Sequence, residues 1–390
     1  MKCLFVHDFR SYKREGRFYT TNLSYEILKK RYVDTFDELY ILNRSGEMPE
    51  NQSEKGYVEA SGDGVVFLDA IPFFTPTSFA KAYPKIKKAV IEQVANSEYT
   101  IIRLDSFLGL IAAEYCRKHN KKYLIEVVGC VWDSFWNKGA TGKLVALPLY
   151  KKMQYEIKHA PYAVYVTSQF LQERYPTGGR NTNISNVQLG QQKQEDLDKR
   201  LEKIAVFDET GVVNLVTVAS VQVRYKGQDT VIRALGELKK RGKTNYRYHL
   251  IGGGDDSYLR GLAEKCGVSD QVVFHGSMNH GKVMDFLNNC DVYIQPSKQE
   301  GLPRALIEAM SKGLLCFGTK VAGIPELLNP NMIFSTKANA YQEIANLLAS
   351  VNKNMMVKEA KRNFEEAKKY EGHILEKRRK DFFSAFIAQE

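Results

Sequence analysis

Short apolar runs alternate with amphipathic stretches along the C-terminal half of the chain, and the alternation is regular enough to assign elements. VVNLVTVAS (Val212 to Ser220) reads as a strand, KGQDTVIRALGELKKRG as an amphipathic helix ending at Gly242, and YRYHLIGGG as a strand broken by three glycines. The pattern then repeats: helix SYLRGLAEKCG, strand QVVFHG, helix GKVMDFLNNC, strand DVYIQPS, helix PRALIEAMSKG, strand LLCFGT. Strands separated by helices of about 10 to 15 residues predict βαβ units and a parallel, doubly wound sheet, which binds ligands beyond the carboxyl ends of its strands. Beyond Ser335 the pattern is helical to the end.

The N-terminal half carries plausible strands in MKCLFVHDF, FDELYILN, GVVFLDAI, YTIIRLDS, KKYLIEVVG and APYAVYVTS, with helical stretches between several of them. A second α/β domain is the simplest account. The polar segment from Asn186 to Asp208, with GQQKQEDLDKR inside it, reads as the connection. The expected organisation is an N-terminal Rossmann-like domain over 1–190, completed by a C-terminal helix over 372–390, and a second Rossmann-like domain over 205–371.

Composition supports two sizeable cores: 390 residues, 44% of them hydrophobic. The six cysteines are scattered without metal or redox spacing, which fits a reduced, cytoplasmic chain. KCLFVHDF is too short for a signal peptide and nothing approaches roughly 18 consecutive apolar residues, so the expectation is a soluble or peripheral protein. A net charge of +11 invites an anionic partner. Residues 81–158 hold 14 Lys and Arg against 7 Asp and Glu, so much of the excess lies there. FAKAYPKIKKAVIEQV and KLVALPLYKKMQYEIKH interleave those lysines with apolar residues. They suit the inner face of an anionic membrane, or equally a solvated helix face with lysine stems over apolar surface. No nucleic-acid-binding motif is present, and no nucleic acid partner is expected.

The candidate chemistry lies in QEGLPRALIEAMSKG, Gln299 to Gly313. Pro303 suits the first turn of a helix, because its missing N–H costs nothing there. The free amides at Gly301, Leu302 and the turn that follows, with the helix dipole, make an anion site at the end of the strand DVYIQP. Glu300 precedes this helix and Glu308 lies between one and two turns into it, too far along to touch the same atoms. Two carboxylates flanking an anion site suit a long ligand with hydroxyls on both sides of its phosphates. A nucleotide sugar has that shape.

The run from RYKGQD through HLIGGG, VVFHG, DVYIQPSKQEGLPRALIEAM and KVAGIPELL resembles the donor domain of the retaining glycosyltransferases of family 4, with Glu300 and Glu308 as its E-x7-E element. The resemblance implies the GT-B fold, two Rossmann-like domains facing a central cleft, and transfer of a sugar from a nucleotide donor to a hydroxyl acceptor. It implies catalytic roles for Glu300 and Lys226, the latter as the diphosphate lysine. The family's arginine five residues before that lysine is Val221 here, and Arg224 is the substitute expected. Gly252, Gly253, His275 and Gly276 match the strand ends near the nucleotide, and Gly16 stands where the family has a glycine turn approaching the donor phosphates. Many relatives carry a histidine where this chain has Gly129.

Close by, Trp132, Asp133 and Trp136 offer aromatic faces beside a carboxylate, suited to the acceptor sugar or equally to loop packing with Asp133 as a helix cap. No metal or other cofactor is expected, and the resemblance makes UDP the commonest donor base. A glycan or lipid-linked acceptor is the implied partner, and a GT-B nucleotide-sugar epimerase is the alternative reading.

Overall fold

The computed structural model describes residues 1–21, 23–49, 56–68, 76–136 and 139–389. The chain divides into two units, Met1–Ile184 with Glu376–Glu390, and Ser185–Leu375.

The first unit is built on β1 (Lys2–Arg14), β2 (Arg17–Thr20), β3 (Glu38–Glu47), β4 (Val58–Glu59), β5 (Val65–Phe67), β6 (Tyr99–Leu104), β7 (Lys122–Val127), β8 (Tyr162–Tyr165) and β9 (Arg180–Asn183). The parallel strands run β5-β3-β1-β6-β7-β8-β9, so the chain starts mid-sheet and winds outward both ways. Strands covered on both faces must be apolar almost throughout, and β6 is buried at every position. Its one charge, Arg103, pairs with buried Glu126 of β7 at 2.7 Å, and Glu126 also accepts from the Tyr32 hydroxyl at 3.0 Å. Phe383 and Phe386, both fully buried, bring the final helix onto this unit against Phe36, Tyr99 and Tyr162.

β1 is longer than the sequence suggests. Its register shifts between Val6 and Arg10, and it then pairs antiparallel with β2, Tyr12 opposite Tyr19 and Lys13 opposite Phe18. Glu15 and Gly16, both at positive φ, close this hairpin as a two-residue turn. Gly16 therefore sits at a hairpin tip and not in a turn entering a helix.

The second unit holds β10 (Val213–Val218), β11 (Tyr246–Ile251), β12 (Val272–Gly276), β13 (Val292–Gln295), β14 (Leu315–Thr319) and β15 (Ile333–Phe334), all parallel. Their order is β12-β11-β10-β13-β14-β15. Helix Gln228–Lys240 buries Val231, Ile232, Leu235 and Leu238 on this sheet, the spacing of one helical face.

The polar segment after Asn186 is not a linker. Helix Gln194–Ala205 belongs to the second unit, with Leu197 and Ile204 in its core. Arg200, 5% exposed, donates to the carbonyls of Lys312 (2.9 Å), Cys290 (2.8 Å) and Leu287 (3.1 Å), a long-range satisfaction that local polarity conceals. The first boundary is thus at Ile184/Ser185 and the second inside the final helix, at Leu375/Glu376. Among the described residues no helix is long and apolar enough to cross a membrane.

Candidate functional site

The strand order of the second unit reverses between β10 and β13, and open α/β sheets bind ligands beyond the strand ends at that point. Two connections meet there: Arg224–Lys226, a single 3-10 turn, and the loop from Pro296 to Pro303. One main-chain bond joins the two, and the loop is anchored further by Thr319 and Gly323. The Lys298 amide donates to the Tyr225 carbonyl (2.7 Å), the Thr319 hydroxyl to the Ser297 carbonyl (2.6 Å) and the Gly323 amide to the Gly301 carbonyl (3.0 Å). Gly227, at φ 75°, allows the approach: a Cβ there would collide with the carbonyl of Pro296.

Glu300 is the focus of this junction. Its Oε1 accepts from Lys226 Nζ at 2.6 Å, Ser297 Oγ at 2.7 Å and Gln295 Nε2 at 3.1 Å. Gln295 Nε2 also donates to Ser297 Oγ (2.8 Å), and Gln295 Oε1 accepts from the Tyr293 hydroxyl (2.7 Å). Tyr293, Gln295 and Ser297 are buried, whereas the side chains of Glu300 and Lys226 keep 12% and 22% exposure. Among the described residues no hydrogen-bond donor reaches Glu300 Oε2. One oxygen is saturated and the other is available.

Helix Arg304–Ser311 begins one residue later than the sequence suggests, because Pro303 is its N-cap with extended backbone. The amides of Arg304, Ala305 and Leu306 have no intrahelical acceptor, and proline has no side-chain oxygen to cap them, so this helix end presents donors and the positive end of its dipole, a setting suited to an anion. Glu308 lies about 6 Å further along the axis, at 1.5 Å per residue. It is 9% exposed, and its Oε1 is 3.2 Å from Nε2 of His280, the first residue of helix His280–Asn289. That hydrogen bond holds the half-exposed imidazole above its ordinary pKa. The site thus offers Lys226 and a helix N-terminus for a diphosphate, with a carboxylate on either side for hydroxyls.

The structure distributes the other expected residues unevenly. Gly252 and Gly276 meet, the Gly252 amide donating to the Gly276 carbonyl (2.9 Å), while the Gly253 carbonyl accepts from Ser220 Oγ (2.9 Å) and the Val221 amide (3.2 Å). A Cβ on Gly252 would strike the Ala219 carbonyl, so the β11 end is threaded tightly beside β10. Gly301 and Leu302 stand in the loop before the helix. Arg224 does not join Lys226: its guanidinium lies over the Tyr258 ring, 3.0 Å from the centroid. His275 is held by His249, with 2.9 Å between Nε2 and Nδ1, and against the Phe286 ring.

In the first unit Trp132 and Trp136 stack on one face of helix Val131–Trp136, 4.7 Å between centroids, with Lys143 over the Trp136 ring and Arg174 3.4 Å from Asp133. Sequence reasoning missed Gln295, Ser297 and His280. An amide ending the apolar run DVYI was a signal for Gln295, whereas nothing local marked His280.

Residues 199–370 match the family described as glycosyl transferases group 1. That stretch, under half of the chain, lies within the second unit. Over nearly its whole length the chain is also similar to Protein CapJ of Staphylococcus aureus, 29% identical over 381 residues, 96% of this chain and 92% of that protein. A shorter stretch of 123 residues is 33% identical to the putative colanic acid biosynthesis glycosyltransferase WcaL of Escherichia coli K12, covering 30% of each. HepE of Anabaena, solved with UDP-glucose, superposes with a TM-score of 0.65 at 16% identity, covering 99% of this chain and 100% of that one. At that identity the likeness is one of fold, the GT-B fold of two Rossmann-like units. The group 1 glycosyltransferase match spans the strand-end glycines, the Lys226 turn and both glutamates.

Proposed function

We propose that this glycosyltransferase is a retaining, family 4 type hexosyltransferase that moves a sugar from a UDP-sugar to a hydroxyl of a lipid-linked glycan during surface polysaccharide synthesis. The observation that carries the reading is the convergence of Lys226, Glu300 and the uncapped helix Arg304–Ser311 at the switch point. Lys226 and the amides of that helix stabilise charge developing on the departing diphosphate as fixed positive electrostatics, with no metal invoked. Glu300 Oε2 accepts from the transferred sugar and Glu308 from the ribose. The colanic acid biosynthesis relative supports the polysaccharide context, and the UDP-glucose held by HepE supports the donor class. Trp132, Asp133 and Trp136 are the proposed acceptor contacts.

Helix Gly139–Lys158 exposes Leu144 (78%) and Leu147 (50%) beside Lys143 and Lys151, and helix Pro76–Ala95 exposes Lys81, Lys85, Lys87 and Lys88. Apolar side chains among lysines complement an anionic bilayer, so the protein works at the cytoplasmic face of a membrane as a peripheral enzyme. Flotation with anionic but not zwitterionic vesicles is expected, and indifference to lipid charge would remove this element.

The donor test is a thermal-shift series with UDP-, GDP- and ADP-sugars, in which a ligand at 100 times its Kd adds about 2.7 kcal/mol of stability. No shift with any of them would overturn the reading. A product of inverted configuration would refute retention, and conversion of the donor sugar without acceptor would favour an epimerase.

A further inference from the structure

A central parallel strand buried on both faces ordinarily ends on apolar side chains, and β13 instead ends on Gln295, 2% exposed. A buried amide is costly unless its donors and acceptor are all engaged. Here they are. Gln295 Oε1 accepts from Tyr293, and Nε2 donates to both Ser297 Oγ and Glu300 Oε1. The single Ser297 hydroxyl hydrogen then goes to Glu300 Oε1. We propose that Gln295, oriented by Tyr293, is a positioning residue that locks the Glu300 carboxylate through Oε1 and so presents Oε2 to the donor sugar.

The direction of the relay is set at its buried end. Tyr293 is fully buried, and burial foremost keeps its hydroxyl protonated, so it donates and Gln295 must accept there with its carbonyl. That leaves the NH2 group facing Ser297 and Glu300. Were the amide reversed, its one oxygen would face the Glu300 carboxylate, which offers no hydrogen, and its NH2 would face the tyrosine, whose own hydrogen would lose its acceptor. With Oε1 occupied three times over, the carboxylate cannot turn about its last torsion without breaking its bonds to the buried Ser297 hydroxyl and Gln295 amide. Preorganisation of this kind matters to the reacting geometry more than to nucleotide affinity.

This inference rests on the sugar-contacting role given to Glu300, and the experiment separates the two. Gln295→Met keeps the volume and removes the amide. Tyr293→Phe removes only the hydroxyl that orients it, and serves if the first variant folds poorly. Crystal structures of the free variants are expected to show Glu300 displaced from Ser297 or in two rotamers. In solution, UDP affinity is expected to stay within twofold of wild type while kcat with UDP-sugar falls about tenfold, the scale of one hydrogen bond to a charged group. Restoration of kcat by Gln295→His, which returns a donor, would strengthen it. An unmoved Glu300 with wild-type kcat would overturn the proposal, and so would equal losses of UDP affinity and turnover, the mark of a packing role. If wild-type protein binds no nucleotide sugar, the glycosyltransferase reading fails, and the position of Glu300 in the free variants still decides the relay.

Discussion

Glu308→Ala tests the proposed contact between this carboxylate and a ribose hydroxyl. Only 12% of the Glu308 side chain is exposed, so a hydroxyl bonded to it sits out of bulk water, and Oε2 remains for that hydroxyl because His280 takes Oε1 at 3.2 Å. A hydrogen bond to a charged acceptor is worth about 1.5–3 kcal/mol, which gives a loss of UDP affinity of roughly tenfold to a hundredfold. Glu308→Gln keeps the shape and a neutral acceptor, so about five- to tenfold is expected from the lost charge alone. Stability in the free state should change by less than about 1 kcal/mol for Gln, because the imidazole partner is half-exposed. Isothermal calorimetry with UDP and with its 2′-deoxy analogue closes a cycle: wild type should discriminate the two and Glu308→Ala should not. Unchanged UDP affinity in a folded Glu308→Ala protein, or undiminished discrimination, would refute the assignment.

Lys226→Ala should lower kcat/KM with a UDP-sugar by at least a hundredfold in a folded protein, since it removes the charge aimed at the diphosphate; retention of activity in a coupled assay would contradict that role. Gly227→Ala combines a left-handed backbone with a collision at Pro296, whereas Gly242, also at positive φ, has open space around it. Urea unfolding should find Gly242→Ala costing about 1–2 kcal/mol and Gly227→Ala about 2 kcal/mol more. Arg103→Met takes the ion-pair partner from the buried Glu126 carboxylate and leaves it the Tyr32 hydrogen bonds, at a cost of about 3–5 kcal/mol, and adding Glu126→Leu should recover most of it. The His280 pair stabilises the folded state fully below the ordinary value of 6.5, because its folded pKa is raised, and that contribution disappears as pH rises through the raised value. Thermal melts should therefore separate wild type from His280→Asn more at about pH 5.5 than at about pH 8, and a reversed order would contradict the pairing.

Much of the second unit was legible because parallel βαβ winding is written locally. Each apolar run and each amphipathic stretch between Val212 and Leu315 became a strand or helix close to its expected place. The N-terminal half was harder, since β1 changes partner and direction of pairing midway, and strand period alone does not reveal which neighbour an edge will find. Asn186 to Asp208 misled for a different reason: charged residues read as solvated, while Arg200 finds four carbonyls far away in sequence.

By itself, then, the sequence determined the winding and the spacing of Glu300 and Glu308, because periodicity and helix geometry act over a few residues. Only the tertiary structure decided that Lys226 meets a carboxylate 74 positions away while Arg224 turns to Tyr258, that Pro303 leaves its helix uncapped, and that Tyr293, Gln295 and Ser297 align Glu300. Such pairings depend on which strand ends the sheet order places side by side, and on buried polar groups having to find partners wherever the fold supplies them.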